Sequence, residues 1–238
     1  MPSDLVETCN LIVQNTESEN HNSDVSFHYD QDGNLLSISN RSYEDTVILT
    51  CHYSNDKLTE LNSDSASIKL DYDDESDIPA TITSVYVGKT QERTTIKVDS
   101  GRISRIEYYV ASSEEYLRQK TIAEYFYKPD NSLYKINISK PDIDYMPIVT
   151  YQYKNIISDD YENPFVNHMG SLIYHVHMKN FLFLGKENIV STIGTIGINE
   201  YNRVYRNDIL YNEWDYPISF DITVGEETTN YNLKYSCK

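Results

Sequence analysis

Histidines, clustered carboxylates and cysteines are the side chains with which this chain could hold a metal or run redox chemistry. His175 and His177 are two residues apart. On a strand they would share a face and could ligate a metal together with His168 or Glu187, whereas on a helix they point roughly 200° apart. The run Asp71, Asp73, Asp74, Glu75, Asp77 and the turn Asp30-x-Asp32-Gly33 have the composition of calcium loops. In the second, however, glycine comes too early for a hand-type loop and no bidentate glutamate follows at the right distance. Both read as solvated turns. Cys9, Cys51 and Cys237 are too dispersed for a metal knuckle. Cys51 alternates with Val47, Leu49 and Tyr53 and reads as a buried structural thiol, while Cys9 and Cys237, near the two ends, could pair in an oxidising compartment. There is no G-x-S-x-G, H-E-x-x-H or phosphate-cradling glycine run, and carboxylate pairs are so common that none stands out as a glycosidase dyad. No catalytic, cofactor or metal residue is therefore assigned, and the chain does not read as an enzyme.

Aromatic residues carry the stronger signal. Twenty-two tyrosines occur in 238 residues, and YNRVYRNDILYNEWDY, residues 201–216, sets Tyr201, Tyr205, Tyr211 and the only tryptophan, Trp214, among Asn202, Arg203, Arg206, Asn207 and Asp208. A tyrosine offers a flat apolar face and a hydroxyl, so this segment is the candidate rim for a glycan, a peptide or an apolar ligand. Tyrosine also suits a sheet with two half-exposed faces, which needs no ligand. The rival reading is a hydrolase acting on a polymer through a carboxylate pair, recognisable by one carboxyl of raised pKa in a cleft.

The elements that must position such residues are legible in a recurring unit. It reads VSFHYDQDGNLLSI (25–38), VILTCHYSNDKLTEL (47–61), TTIKVDSGRISRI (94–106) and TIAEYFYKPDNSLYKI (121–136), with a worn copy at 67–82. Before each turn the apolar residues alternate, as in Val25, Phe27 and Tyr29, which predicts half-buried strands with Tyr53 and Tyr127 pointing inward. Polar turn residues then link each strand to the next as a hairpin. Past the turn come Leu35 and Ile38, Leu58 and Leu61, Ile103 and Ile106, Leu133 and Ile136. A spacing of three breaks period two and predicts a bulge that bends the second strand. Repeated bends would curl the sheet, so the expected fold is all-β, a curled antiparallel meander of hairpins forming an open or incomplete barrel.

From about 159 to 193 the unit is interrupted. Asn163-Pro164 and Gly170 signal a loop, and Leu172, Ile173, Val176 and Phe183 can share a helical stripe, although Leu172, Tyr174, Val176 and Met178 alternate equally well. The expectation is a loop and a short helix lying against the sheet and covering its open face. Residues 1–21 read as a polar tail ahead of one domain, 22–238. With 37 acidic against 20 basic side chains, the net charge of −17 disfavours nucleic acid and suits a monomer with a wet surface. No apolar run is long enough for a spanning helix, and MPSDLVETCNLIVQ lacks the basic and apolar regions of a signal peptide.

The YD-x-x-G-x-L-x-x-I units, the insert with Asn163-Pro164 and Leu184-Gly185-Lys186, and the closing hairpin of Tyr216-Pro217, Gly225, Tyr231, Leu233 and Tyr235 together resemble an uncharacterised family of secreted bacterial lipoproteins with a porin-like fold. The likeness spans roughly residues 22–236. Taken alone, the units also resemble the tyrosine–aspartate repeats of large toxin shells, for which five units and an insert are too few. The lipoprotein resemblance implies an extracytoplasmic protein, with any lipid anchor supplied by a signal that is not in this sequence. It brings no activity with it.

Overall fold

The structure is a computed structural model and describes residues 9–18, 21–42, 45–73, 76–86, 89–113, 116–130, 132–140, 149–163, 165, 169–184, 187–196, 199–224 and 226–237. Its strands are β1 (Cys9–Ser18), β2 (His21–Tyr29), β3 (Leu35–Ser42), β4 (Asp45–Ser54), β5 (Lys57–Asn62), β6 (Ala66–Asp71), β7 (Thr81–Tyr86), β8 (Lys89–Asp99), β9 (Arg102–Ser113), β10 (Tyr116–Tyr127), β11 (Leu133–Lys140), β12 (Val149–Glu162), β13 (Glu187–Ile196), β14 (Asn199–Tyr211), β15 (Pro217–Val224) and β16 (Glu227–Cys237). Among the described residues, the helix α1 (Met169–His177) and a 3-10 turn, Phe181–Phe183, lie between β12 and β13.

The expected curled antiparallel meander with a short helical insert is what the chain forms. Each strand pairs with its neighbours in sequence, and β1 also pairs with β16, so the ladder returns to its starting strand as a closed barrel rather than stopping at an open edge. The first strand of that ring, Cys9–Ser18, comes from the segment read as a polar tail. The Leu11-Ile12-Val13 patch carries the seam: Leu11 and Cys9 are fully buried, and a bulge falls between Leu11 and Val13. A strand that must complete a ring gains its partners on both sides from distant sequence, so short-range pattern understates it.

The bulges fall where the spacing of three places them. Against β2, Tyr29 pairs with Leu35 and His28 with Ser37, leaving Leu36 as the extra residue. The same skip leaves out Thr59, Ser104 and Tyr134 on β5, β9 and β11. All eight residues of the flanking apolar pairs are buried, while Leu36 is 50% and Tyr134 39% exposed. A bulge lets two inward positions stand three apart and tightens the local twist, which draws that end of the barrel inward. The turns match: Asn55 and Asp56 both have positive φ (50° and 60°), as do Ser100 and Gly101 (53° and 74°). These are the left-handed conformations that two-residue hairpin links require.

Most buried positions of the described strands are apolar. On β9 and β10, Ile103, Ile106, Tyr108, Ala123 and Tyr125 point in, while Arg105 outside bridges Glu107 at 2.6 Å and Glu124 at 2.8 Å. The insert occupies the lumen. Leu172, Ile173, Val176 and Phe183 are all buried as the helical stripe predicts, and the Tyr108 and Tyr125 hydroxyls donate to the carbonyls of Val176 (3.0 Å) and Phe181 (3.1 Å). Gly170 sits where the helix meets the wall. A Cβ there would lie 2.9 Å from both Leu35 Cδ2 and Phe27 Cδ1, so only glycine permits this approach.

Candidate functional site

Successive connections of a meander alternate between the two ends of the barrel. The turns after β2, β4, β8, β10 and β14 share one end with the Cys9–Cys237 disulfide. The insert enters from that end, between β12 and β13, and its tip at Val176–Phe183 meets the wall at Tyr108 and Tyr125. Towards the other end, among the described residues, cavities lie on either side of this tip. The first has a volume of about 490 Å³, bounded by Val47, Leu49, Ile68, Val85 and Val110 on the wall and by Ile173, Tyr174, His177 and Met178 on the insert. The second, about 430 Å³, lies between Ile138, Tyr151, Tyr153 and Val204 on the wall and Lys179, Phe181 and Leu182 on the insert. Both are within the size range of small-molecule sites.

The segment proposed from sequence lies elsewhere. Trp214 is 40% exposed in the turn between β14 and β15, whose shape is fixed by Asn212: its Oδ1 accepts from the backbone N–H of Trp214 and of Tyr216, each at 3.0 Å. That turn is at the disulfide end, away from both cavities. Tyr211 hydrogen-bonds Asp159, and its ring lies 4.5 Å from that of Tyr161. Tyr201 and Tyr205 fall on the described backbone of β14, and their side chains lie outside the described residues. Arg206, read as part of the same polar rim, is buried inside the barrel. Its Nη1 donates to Asn188 Oδ1 at 3.2 Å, and its guanidinium lies 4.4 Å from the Phe220 ring centroid. Burial lowers its pKa to about 10, partly opposed by Asp159, so it keeps its charge at neutral pH. A shift in register between Asn207 and Leu210, with Asp208 at φ 51°, reverses which residues of β14 face in. Simple alternation therefore does not apply across the segment.

His175, Asp30 and Cys51 are held in local structure. His175 is fully buried: its Nε2 lies 3.1 Å from Gln14 Oε1 and its Nδ1 3.1 Å from Asn180 Nδ2. These contacts suit the neutral tautomer with the proton on Nε2. Desolvation, followed by the Arg206 charge, pushes its pKa down to about 3. His177 opens onto the first cavity instead, so the two histidines do not converge. His168 and the Glu187 side chain lie outside the described residues, and among the described residues no group of three metal ligands occurs. Asp30 is used locally, its Oδ1 accepting from the backbone N–H of Asp32 (2.9 Å) and Asn34 (2.8 Å). Among the described residues, the carboxyls that depart from their ordinary range, Asp30, Glu107 and Asp130, are lowered, each chiefly by a hydrogen bond from a neighbouring side chain. Cys51 is half-buried, and desolvation raises its thiol to about 12, consistent with an inert structural thiol.

His175 makes stability pH-dependent. Above pH 6.5 both the folded and unfolded chains hold it neutral. As the pH falls, the unfolded chain takes up a proton that the barrel refuses until about pH 3, so stability is lost through that window. Going from pH 7 to 5 should cost about 2 kcal/mol from this residue alone. Urea melts of wild type and His175→Gln should differ by that amount in pH slope, and equal slopes would refute the assignment.

Tyrosine has a role that composition alone did not reveal. Tyr53 donates to the carbonyl of Leu35 (3.0 Å), Tyr72 to that of Leu58 (2.9 Å), Tyr127 to that of Ile103 (2.8 Å) and Tyr235 to that of Pro217 (2.9 Å). Each acceptor is the first or second residue of the strand after a turn and stands beside a bulge, where the ladder is locally disrupted. A tyrosine hydroxyl from the following strand or, for Tyr72, from the residue just past that strand donates there.

No family model matches this chain, and no curated protein matches it. Solved structures do. A porin-like protein from Bacteroides uniformis ATCC 8492 aligns over 97% of this chain and 96% of its own, with a TM-score of 0.58 at 12% identity. The fold is porin-like. A second porin-like protein, from Bacteroides vulgatus ATCC 8482, covers 96% of this chain and 99% of its own, with a TM-score of 0.52 at 11% identity. At these identities the likeness concerns the path of the backbone.

Proposed function

We propose that this porin-like barrel is a non-enzymatic, extracytoplasmic binding protein that holds a small, uncharged, apolar molecule in the first cavity. The single observation that carries the reading is the distribution of polarity. A barrel that spans a membrane faces lipid with an apolar band and keeps a polar lumen. Here Arg105, Glu107 and Glu124 stand outside, and the wall of the first cavity, in a lumen that the insert fills only in part, is mainly apolar. Apolar surface left uncovered inside a closed wall favours an apolar occupant, because filling it removes water from both surfaces. Export is supported by the Cys9–Cys237 disulfide, a bond that persists in oxidising compartments. A lipid anchor is part of the same proposal and rests on the family resemblance. A glycan or peptide at Trp214 is a second binding mode, supported by the exposure of that ring in its turn.

The test uses the whole chain and the neutral fluorophore N-phenyl-1-naphthylamine. Its emission should rise on binding, and Val47→Trp, which fills the first cavity from a wall position that is 50% exposed, should weaken binding at least tenfold while the circular dichroism spectrum is unchanged. Binding that Val47→Trp leaves intact would overturn the assignment.

A further inference from the structure

We propose that the second cavity is a separate site for amphipathic monocarboxylates, molecules with an apolar body and one carboxylate. Its walls suit the body, with the rings of Tyr151, Tyr153 and Phe181 beside Leu182. Its charge suits the head. Lys140 and Lys179 are the charged residues that line it, with no Asp or Glu among the described lining residues, in a chain that carries 37 acidic and 20 basic side chains.

The placement of the two lysines supports this. Lys140 ends β11 on the inward face shared with Ile136 and Ile138, and its Nζ lies 5.4 Å from the Tyr151 ring centroid, which sets the cation beside the apolar wall. Lys179 stands at the tip of the insert, its Nζ 5.6 Å from the Tyr108 ring and 3.0 Å from Glu92 Oε1. Glu92 lines the first cavity and Lys179 the second. This ion pair thus stands at the partition between them, and it gives them opposite character. A carboxylate entering the second cavity meets cations beside low-dielectric walls, where attraction is stronger than in bulk water. One entering the first meets Glu92. Because Glu92 already satisfies Lys179, Lys140 supplies most of the discrimination.

The experiment titrates the full chain with 11-(dansylamino)undecanoic acid and with its methyl ester. The acid should bind at least tenfold more tightly than the ester. Lys140→Glu, a change at an exposed strand end, should erase that preference, and Lys140→Gln should reduce it. Val224→Trp, which fills the second cavity, should abolish binding of the acid, while Val47→Trp should leave it within twofold. Neutral N-phenyl-1-naphthylamine should bind Lys140→Glu as it binds wild type, which separates this proposal from the reading of the first cavity. Equal affinity for acid and ester, an unchanged preference in Lys140→Glu, or loss of the acid in Val47→Trp alone would each overturn it.

Discussion

Replacing Cys9 and Cys237 together by serine should lower the stability of the barrel by on the order of 5 kcal/mol, the loop-entropy expectation for a bond that closes nearly the whole chain. The two cysteines are 228 residues apart and pair directly across the β1–β16 ladder. In the reduced unfolded chain these ends move independently, so the cost of closing the ring must be met during folding. With the bond in place, most of it is already met in the unfolded state. The expected fall in melting temperature is about 10–20 °C for a chain of this size. Melts with and without reductant check this: reduction should bring wild type to the variant's midpoint and leave the variant unmoved. A shift below about 2 °C would show that the seam is held by its hydrogen bonds and by Leu11 alone.

Tyr108→Ala should cost about 3–5 kcal/mol, as expected for a truncated core aromatic. Tyr108 is 2% exposed, meets Phe181 edge to ring with centroids 5.7 Å apart, and donates to the Val176 carbonyl near the end of α1. Removing it opens a void between the wall and the insert and takes away one of the two donors to the Val176 carbonyl, leaving the Lys179 N–H at 3.1 Å. Tyr108→Phe keeps the ring and should cost only about 1–2 kcal/mol. Tyr53, which the sequence pattern placed inward as a core aromatic, is 41% exposed and contributes mainly its hydrogen bond to Leu35. Tyr53→Ala should therefore cost about 1 kcal/mol. Tyr127, the other inward expectation, is half-buried with the same kind of bond, to Ile103. Urea denaturation of the variants ranks them. If Tyr53→Ala were as damaging as Tyr108→Ala, the division between core and capping tyrosines would be wrong.

The position of the insert explains why the candidate site was only half legible. Its helix was readable because Leu172, Ile173, Val176 and Phe183 recur at helical spacing. Its depth was not, because that depends on the lumen's width and on Gly170, whose missing side chain admits the helix against Phe27 and Leu35. The cavities are the space that the insert leaves unfilled. Their walls come from β3 to β9 on one side and β11 to β15 on the other, so no local motif marks them. The aromatic segment 201–216 was conspicuous in composition, yet the irregular register of β14 sends Arg206 inward and leaves Trp214 at the far end.

The sequence by itself determined the local geometry. Alternation set the strands, polar residues able to take positive φ set the turns, and apolar pairs three apart set the bulges at Leu36, Thr59, Ser104 and Tyr134. Each of these is decided within a few residues, by steric limits on φ and by the two-residue period of a pleated strand. Tertiary structure alone decided that the curled sheet closes, that Cys9–Ser18 is its first strand, that Cys9 meets Cys237, and which tyrosines are core and which cap a bulge. Closure depends on strand number and stagger summed around the ring. A small change in the bend at each hairpin would leave every local pattern intact and the two ends apart.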